Sequence, residues 1–261
     1  AFIAILILYG FKRIKFDFNK ERIIKIIPIA ILYPLSFFAF QTFGLQYATS
    51  AEGGILLASA PISTLILATY FLKEKTTLLQ KLSIIVSVSG VIYISLMKSS
   101  DLNFNNILGI VLLLLSALSI SGYSVMARKL TKDFTNIELS TMMILISFIC
   151  YNLMSISKHL LSGTISSFFA PLSDVSFVIS ILYLGVLSSL VTSLMTNYIL
   201  SKIEASKMSV FANLGTVITI AAGAIFLKES IYYYHIIGSL LIVGGVLGTN
   251  FLDEKELPED R

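Results

Sequence analysis

Apolar residues run along this chain in long uncharged blocks parted by short polar stretches, at 26–46, 54–72, 79–97, 107–127, 139–161, 176–199, 207–227 and 232–252. A hydrocarbon core about 30 Å thick takes roughly 20 residues of helix to cross, so each block predicts one membrane span. None carries a charged residue in its central half. Backbone N–H and C=O groups in lipid must pair within the segment or within a closed barrel. A barrel strand would alternate in polarity over about ten residues, and Ile107–Ala117 does not alternate. The pattern therefore predicts an all-α, polytopic integral membrane bundle. Residues 1–11 are apolar but about half a span long, with no basic leader before them and no small-residue cleavage site after them. They read as the tail of a further span rather than as a signal peptide.

The pattern also repeats. A shift of 155 residues lays 54–92 on 209–247, with Phe71-Leu72-Lys73-Glu74 on Phe226-Leu227-Lys228-Glu229 and Gly90-Val91 on Gly245-Val246. Lys-Glu and Gly are not apolar filler, so the match predicts an internal duplication. Its halves are 1–97 and 98–252, and an acidic tail at 253–261 follows them. The second half holds five spans. The first, laid on it, lacks one helix and half of another ahead of Ala1, so ten helices are expected in two five-helix repeats.

Charge fixes the sense of threading. Sixteen of the 19 Lys and Arg fall in one set of alternate loops and three in the other. Basic loops stay on the cytoplasmic side, which places Lys73 and the tail inside and Lys228 outside. Odd-numbered repeats threaded in opposite senses are the plan of secondary carriers, whose halves rock about a midplane site.

Composition narrows the chemistry. Only 13% of the 261 residues are charged and the mean hydropathy is +0.88, against roughly a quarter charged in soluble domains. The net charge of +4 is too small and too scattered for nucleic acid. One cysteine, Cys150, and two histidines, His159 and His235, offer neither a disulfide framework nor a metal-ligand spacing. No metal or cofactor is expected, and no paired Asp, HExxH or Ser/His arrangement at one depth suggests an enzyme. The partners expected are the lipid bilayer and a small solute, with the chain a monomer or a homodimer.

The stretch Gly44-Leu45-Gln46-Tyr47-Ala48-Thr49-Ser50-Ala51, the helix Gly54 to Tyr70 with Pro61 at its middle, Phe71-Leu72-Lys73-Glu74-Lys75, and the second copy from Phe226 through Gly238, Gly244 and Gly245 resemble the drug/metabolite transporter superfamily, in particular its ten-helix EamA-type members. The likeness covers nearly the whole chain. It implies a bacterial inner-membrane carrier that exports amino acids or other small metabolites, with a cavity lined by the first, third, fourth, sixth, eighth and ninth helices. Other members' roles, exchange of phosphorylated or nucleotide-linked sugars and drug efflux, stay open, as does a non-transporting scaffold or receptor. One departure stands out: Thr216 occupies the place of Pro61 in the second copy.

Polar side chains inside the spans are the candidates for solute contact. Tyr33, Phe37, Phe40, Gln41 and Gly44 form one stripe. Ser119 and Tyr123 lie on 107–127, Ser189 and Thr192 on 176–199, and Asn213 and Thr216 on 207–227. Polar groups at depth line aqueous cavities or join helices by hydrogen bonds, and both readings stand for each of them. Pro61 removes an N–H from its helix, so a kink or hinge is expected there, with Ser59 or Ser63 beside it. Glu52 suits a helix N-terminus. Gly244-xxx-Gly248 suits the close approach of another helix. With no buried charge in the spans, the solute expected is neutral or zwitterionic, moved by alternating access.

Overall fold

A computed structural model describes residues 1, 2, 4, 5, 20–98, 106–165 and 168–251. The rest of the 1–11 span remnant and the acidic tail at 253–261 lie outside the described residues. Among the described residues eight helices are long and apolar enough to cross a membrane: α1 Lys20–Gly44, α2 Glu52–Leu72, α3 Leu78–Lys98, α4 Ile107–Leu130, α5 Asn136–Leu161, α6 Val175–Lys202, α7 Ala205–Phe226 and α8 Tyr233–Phe251. No strand occurs among the described residues.

Three of these helices begin three or more residues before their apolar runs, α1 at Lys20, α5 at Asn136 and α2, whose first helical turn starts at Ser50. α1 opens on the amphipathic turn Lys20-Glu21-Arg22, whose charges stay accessible while Ile26, Ile29 and Ala30 are buried. α5 opens on a capping box, in which Thr135 Oγ1 accepts the Glu138 N–H at 3.2 Å and Glu138 Oε2 accepts the Thr135 N–H at 2.8 Å. α2 is capped in the same way: Glu52 donates its N–H to Thr49 Oγ1 at 3.2 Å and accepts the Thr49 N–H at 2.6 Å. Such boxes satisfy two donors that a helix start leaves unpaired.

Four spans are not continuous α-helix. α1 kinks at Tyr33, whose φ of −141° and ψ of 130° are extended, just before Pro34. α2 breaks at Ala58–Ser59, and its second half, Ala60–Leu67, carries Pro61 at its start. This is where proline fits, because the N–H it lacks would be unpaired there in any case. α7 breaks at Ala212–Asn213, one residue from the repeat-related place, with no proline. α6 widens into π-type turns over Tyr183–Val191, where Ser189 and Thr192 donate to carbonyls five residues back, Leu184 and Leu187.

The described residues within Ala1–Ser36 and Met126–Lys202 form one compact unit, and those within Phe37–Val125 and from Ile203 onward form another. Unit one is held by Ile5, Ile144 and Leu190 and by polar ties between its helices. Arg22 pairs with Glu138 at 2.9 Å and lies over the Phe134 ring. Arg128 donates to the Leu200 carbonyl at 2.8 Å, and Tyr151 donates to that of Leu35 at 2.9 Å. Asn197 donates to Ser140 Oγ at 2.8 Å, with both residues fully buried.

Unit two is built on α3 against α8, with Ile84, Val88, Val91, Ile94, Ile242 and Val246 at its centre. The two helices run antiparallel. A Cβ on Gly90 would lie 2.7 Å from the Gly238 carbonyl oxygen, and one on Gly245 would lie 2.5 Å from that of Ser83. These are the same contact twice, because 83 and 238, like 90 and 245, are 155 residues apart. The close approach is made by Gly245. A Cβ on Gly244 would meet nothing within 4 Å in this chain, so within the chain it is Gly245 and not Gly244 that makes the contact.

Candidate functional site

Polar groups in unit two concentrate where its helices break. At the α2 break, Ser59 Oγ donates to the Leu56 carbonyl at 2.6 Å and Thr64 Oγ1 to the Ala60 carbonyl at 2.9 Å. Ser121 of α4 reaches that same Ala60 carbonyl at 2.9 Å. Pro61 is buried and Ser63 half-buried beside it. At the α7 break, Asn213 is buried and donates to Ser87 Oγ of α3 at 3.0 Å. The half-buried Thr216 closes the next turn, its N–H reaching the Asn213 carbonyl at 3.1 Å. The first half of α7 (Ala205–Phe211) packs on the second half of α2 (Ala60–Leu67), so the two interruptions flank one contact.

The other candidates in this unit lie along α1 and α4. Phe37 is half-buried, and its carbonyl accepts Ser116 Oγ of α4 at 2.9 Å. Gln41 is half-buried one turn on. Ser119 is buried and turns its hydroxyl onto its own helix, to Leu115, while Tyr123 is 1% exposed. Tyr33, Ser189 and Thr192 belong to unit one. Tyr33 is half-buried at the α1 kink, and the exposed Ser189 and Thr192 bond within α6. The described grooves gather none of these residues. An open groove of about 700 Å³ lies in unit two at the start of α2, lined by Gln46, Tyr47, Ala48, Thr49, Glu52, Asn106, Ile107 and Leu108.

Three contacts were not read from the sequence. Ser87 as the partner of Asn213 and Ser121 as the partner of the Ala60 carbonyl each join helices far apart in the chain, so no local spacing announces them. The third is Glu74, whose carboxylate accepts from the first turn of α7. Its copy in the repeated Leu-Lys-Glu turn was the available signal.

Among the described residues no group of three His, Cys, Asp or Glu side chains could hold a metal ion. The interiors of the eight spans hold hydroxyls, amides and aromatic rings and no formal charge. Such groups can exchange hydrogen bonds with a polar solute. They offer no fixed charge with which to pair a solute of net charge such as a phosphate.

The model of the EamA-like transporter family matches residues 1–96 and 107–251. The chain is 44% identical over 250 residues to the uncharacterized transporter YcxC of Bacillus subtilis (strain 168), covering 96% of this chain and 80% of that protein. It is 30% identical over 245 residues to an uncharacterized transporter of Archaeoglobus fulgidus, covering 93% and 81%. One solved protein structure superposes with a TM-score of 0.71 at 15% identity, over 87% of this chain and 76% of that one. That likeness concerns the fold.

Proposed function

The chain belongs to the EamA-like transporter family, a polytopic helical membrane transporter, and from that premise we propose that it carries a small neutral or zwitterionic metabolite, an amino acid or similar, by alternating access and in the exporting direction. The observation that carries the choice of solute is the chemistry of the span interiors, where Ser, Thr, Asn, Gln and Tyr stand without a charged side chain. A desolvated phosphate would call for a cation at depth, which disfavours exchange of phosphorylated sugars.

In this reading the solute is held in unit two by Ser63, Asn213 and Thr216 at the interrupted α2 and α7, with Phe37, Gln41, Ser119 and Tyr123 along α1 and α4. Interrupted helices free backbone groups for a ligand without placing them in lipid. Tyr33, Ser189 and Thr192 are the candidates of unit one taken by itself, and Pro61 starts the moving half of α2. Two inverted repeats, 1–97 and 98–252, provide the two-sided design. The antiparallel, twice-repeated α3/α8 contact supports that division. The basic loops favour a cell-membrane orientation with Lys73 and the C-terminus inside.

The test is counterflow. The full-length protein in liposomes, preloaded in turn with amino acids, amides, nucleosides and sugars, should give saturable exchange with a neutral or zwitterionic member of the panel. Exchange should persist without a pH gradient. Exchange of phosphorylated sugars or lipophilic cations alone would overturn this reading of the solute, and strict dependence on a pH gradient traced to a residue of this chain would overturn the uncharged mechanism.

A further inference from the structure

The turns that end α2 and α7 are built alike and hold their glutamates differently. Lys73 and Lys228 are the non-glycine residues with left-handed backbone among the described residues, at φ 56° and 55°. The N–H groups of Glu74 and Glu229 then return to the carbonyls of Ala68 and Gly223, at 3.3 and 3.2 Å. Each of these pairs spans the 155-residue offset.

Beyond the backbone the copies part. Glu74 reaches α7, where Oε1 accepts the Ala205 N–H at 2.9 Å and Oε2 accepts both the Ser206 N–H at 3.3 Å and the Ser206 hydroxyl at 2.7 Å. Glu204, at the N-cap of α7, makes no side-chain cap bond. Glu74 therefore caps a helix that does not cap itself, with its charge on the favoured end of the helix dipole. Glu229 is exposed and lies back over its own helix, where a Cβ on Gly223 would stand 2.6 Å from Oε2. The equivalent position in the first copy is Ala68, fully buried, whose methyl group occupies that parking place.

The packing differs in the same sense. At the Glu74 end the first half of α7 rests on the second half of α2. The repeat-related contact, Ser50–Leu57 of α2 on Leu214–Phe226 of α7, is not made to a comparable extent among the described residues. At that end Thr49 and Glu52 line the open groove together with Gln46, Tyr47 and Asn106, and no α7 residue is among its lining. One end of the α2/α7 pair is clasped and the other is open.

We propose that Glu229 is a second clasp, which docks on the first turn of α2 at positions 50 and 51, the repeat mates of Ala205 and Ser206, when that end closes, and that Glu74 releases α7 in the same exchange. The two glutamates are alternating positioning residues of the transport cycle, and the idea rests on the carrier reading. Glu52 stands in that turn where α7 has Lys207. Its charge opposes the docking, so the clasp at this end is the weaker one and the open groove the resting state.

The test is disulfide trapping in native membranes, with the full-length protein carrying Cys150→Ser. The pair Glu74→Cys/Ser206→Cys reports the clasp present now, and its cross-link also shows that the fold is intact. The pair Ser50→Cys/Glu229→Cys should cross-link as a minor fraction, and either lock should stop exchange. Gly223→Ala, which evicts the parked carboxylate, and Glu52→Gln, which keeps the capping box without its charge, should each slow labelling of Ser50→Cys severalfold by a water-soluble thiol reagent when Glu229 is intact. Glu229→Gln should lower the maximal exchange rate while leaving half-saturation unchanged. A strong 74–206 cross-link with no 50–229 cross-link in any background, or a Glu229→Gln protein with normal exchange, would overturn the proposal. Trapping needs no identified solute, so it can fail while transport stands, and transport can fail while trapping succeeds.

Discussion

Gly90 of α3 lies so close to Gly238 of α8 that a Cβ on Gly90 would stand 2.7 Å from the Gly238 carbonyl oxygen. The obstruction is backbone, which cannot swing aside as the end of a side chain can. Gly90→Ala and Gly245→Ala should each cost about 1–3 kcal/mol through overpacking, read as a lowered Tm in detergent. Gly244→Ala, one residue from the second contact and facing open space, should leave Tm unchanged or raise it slightly, since alanine is the better helix former.

Asn213 and Ser87 are tied by a buried bond of 3.0 Å. Interhelical hydrogen bonds in membranes are worth about 0.6 kcal/mol on average, because a serine left alone can return its hydroxyl to its own helix. A double-mutant cycle of Asn213→Ala and Ser87→Ala should therefore give a coupling of about 0.6–2 kcal/mol in unfolding experiments. If Asn213 also meets the solute, Asn213→Ala should raise the half-saturation concentration of exchange and Ser87→Ala should not.

Arg22 and Glu138 form an ion pair that remains partly exposed. Pairs of this kind contribute about 0–1 kcal/mol, whereas loss of a helix cap costs about 0.5–2 kcal/mol. Glu138 serves both roles and Arg22 only the first, so thermal unfolding should rank Glu138→Ala as clearly more damaging than Arg22→Ala. Glu138→Gln, which keeps the capping box, should resemble Arg22→Ala.

Pro61 begins the second half of α2, and α7 breaks at the related place with Thr216 there instead. The break in α7 forms without a proline. Pro61→Ala should leave the exchange rate close to that of the parent protein. A large loss of rate at unchanged Tm would restore the proline to the role of hinge.

The eight spans were legible because lipid imposes a uniform demand, an uncharged run long enough to cross, and each predicted block became a helix. Their early starts at Lys20 and Asn136 were less visible, since an amphipathic turn and a Thr-x-x-Glu box add no apolar residues. The break in α2 was announced by Pro61. The break in α7 was not, because it carries no residue that forbids a helix and lies where Asn213 and Ser87 meet across elements. For the same reason the sequence located polar residues in the spans without telling which hydroxyls turn back on their own helix, as Ser119 and Ser189 do. Gly244 and Gly245 show the limit most sharply: both suit a close contact by type, and the register of α8 against α3 selects the second.

The account stands on opposite threading of the two repeats. Its most direct test is the sidedness of two lysines, replaced one at a time as Lys73→Cys and Lys228→Cys in the Cys150→Ser protein and labelled with a membrane-impermeant thiol reagent in intact cells. The account predicts that Lys228→Cys is labelled from outside and Lys73→Cys only after the cells are opened. Labelling of both from the same side would contradict it.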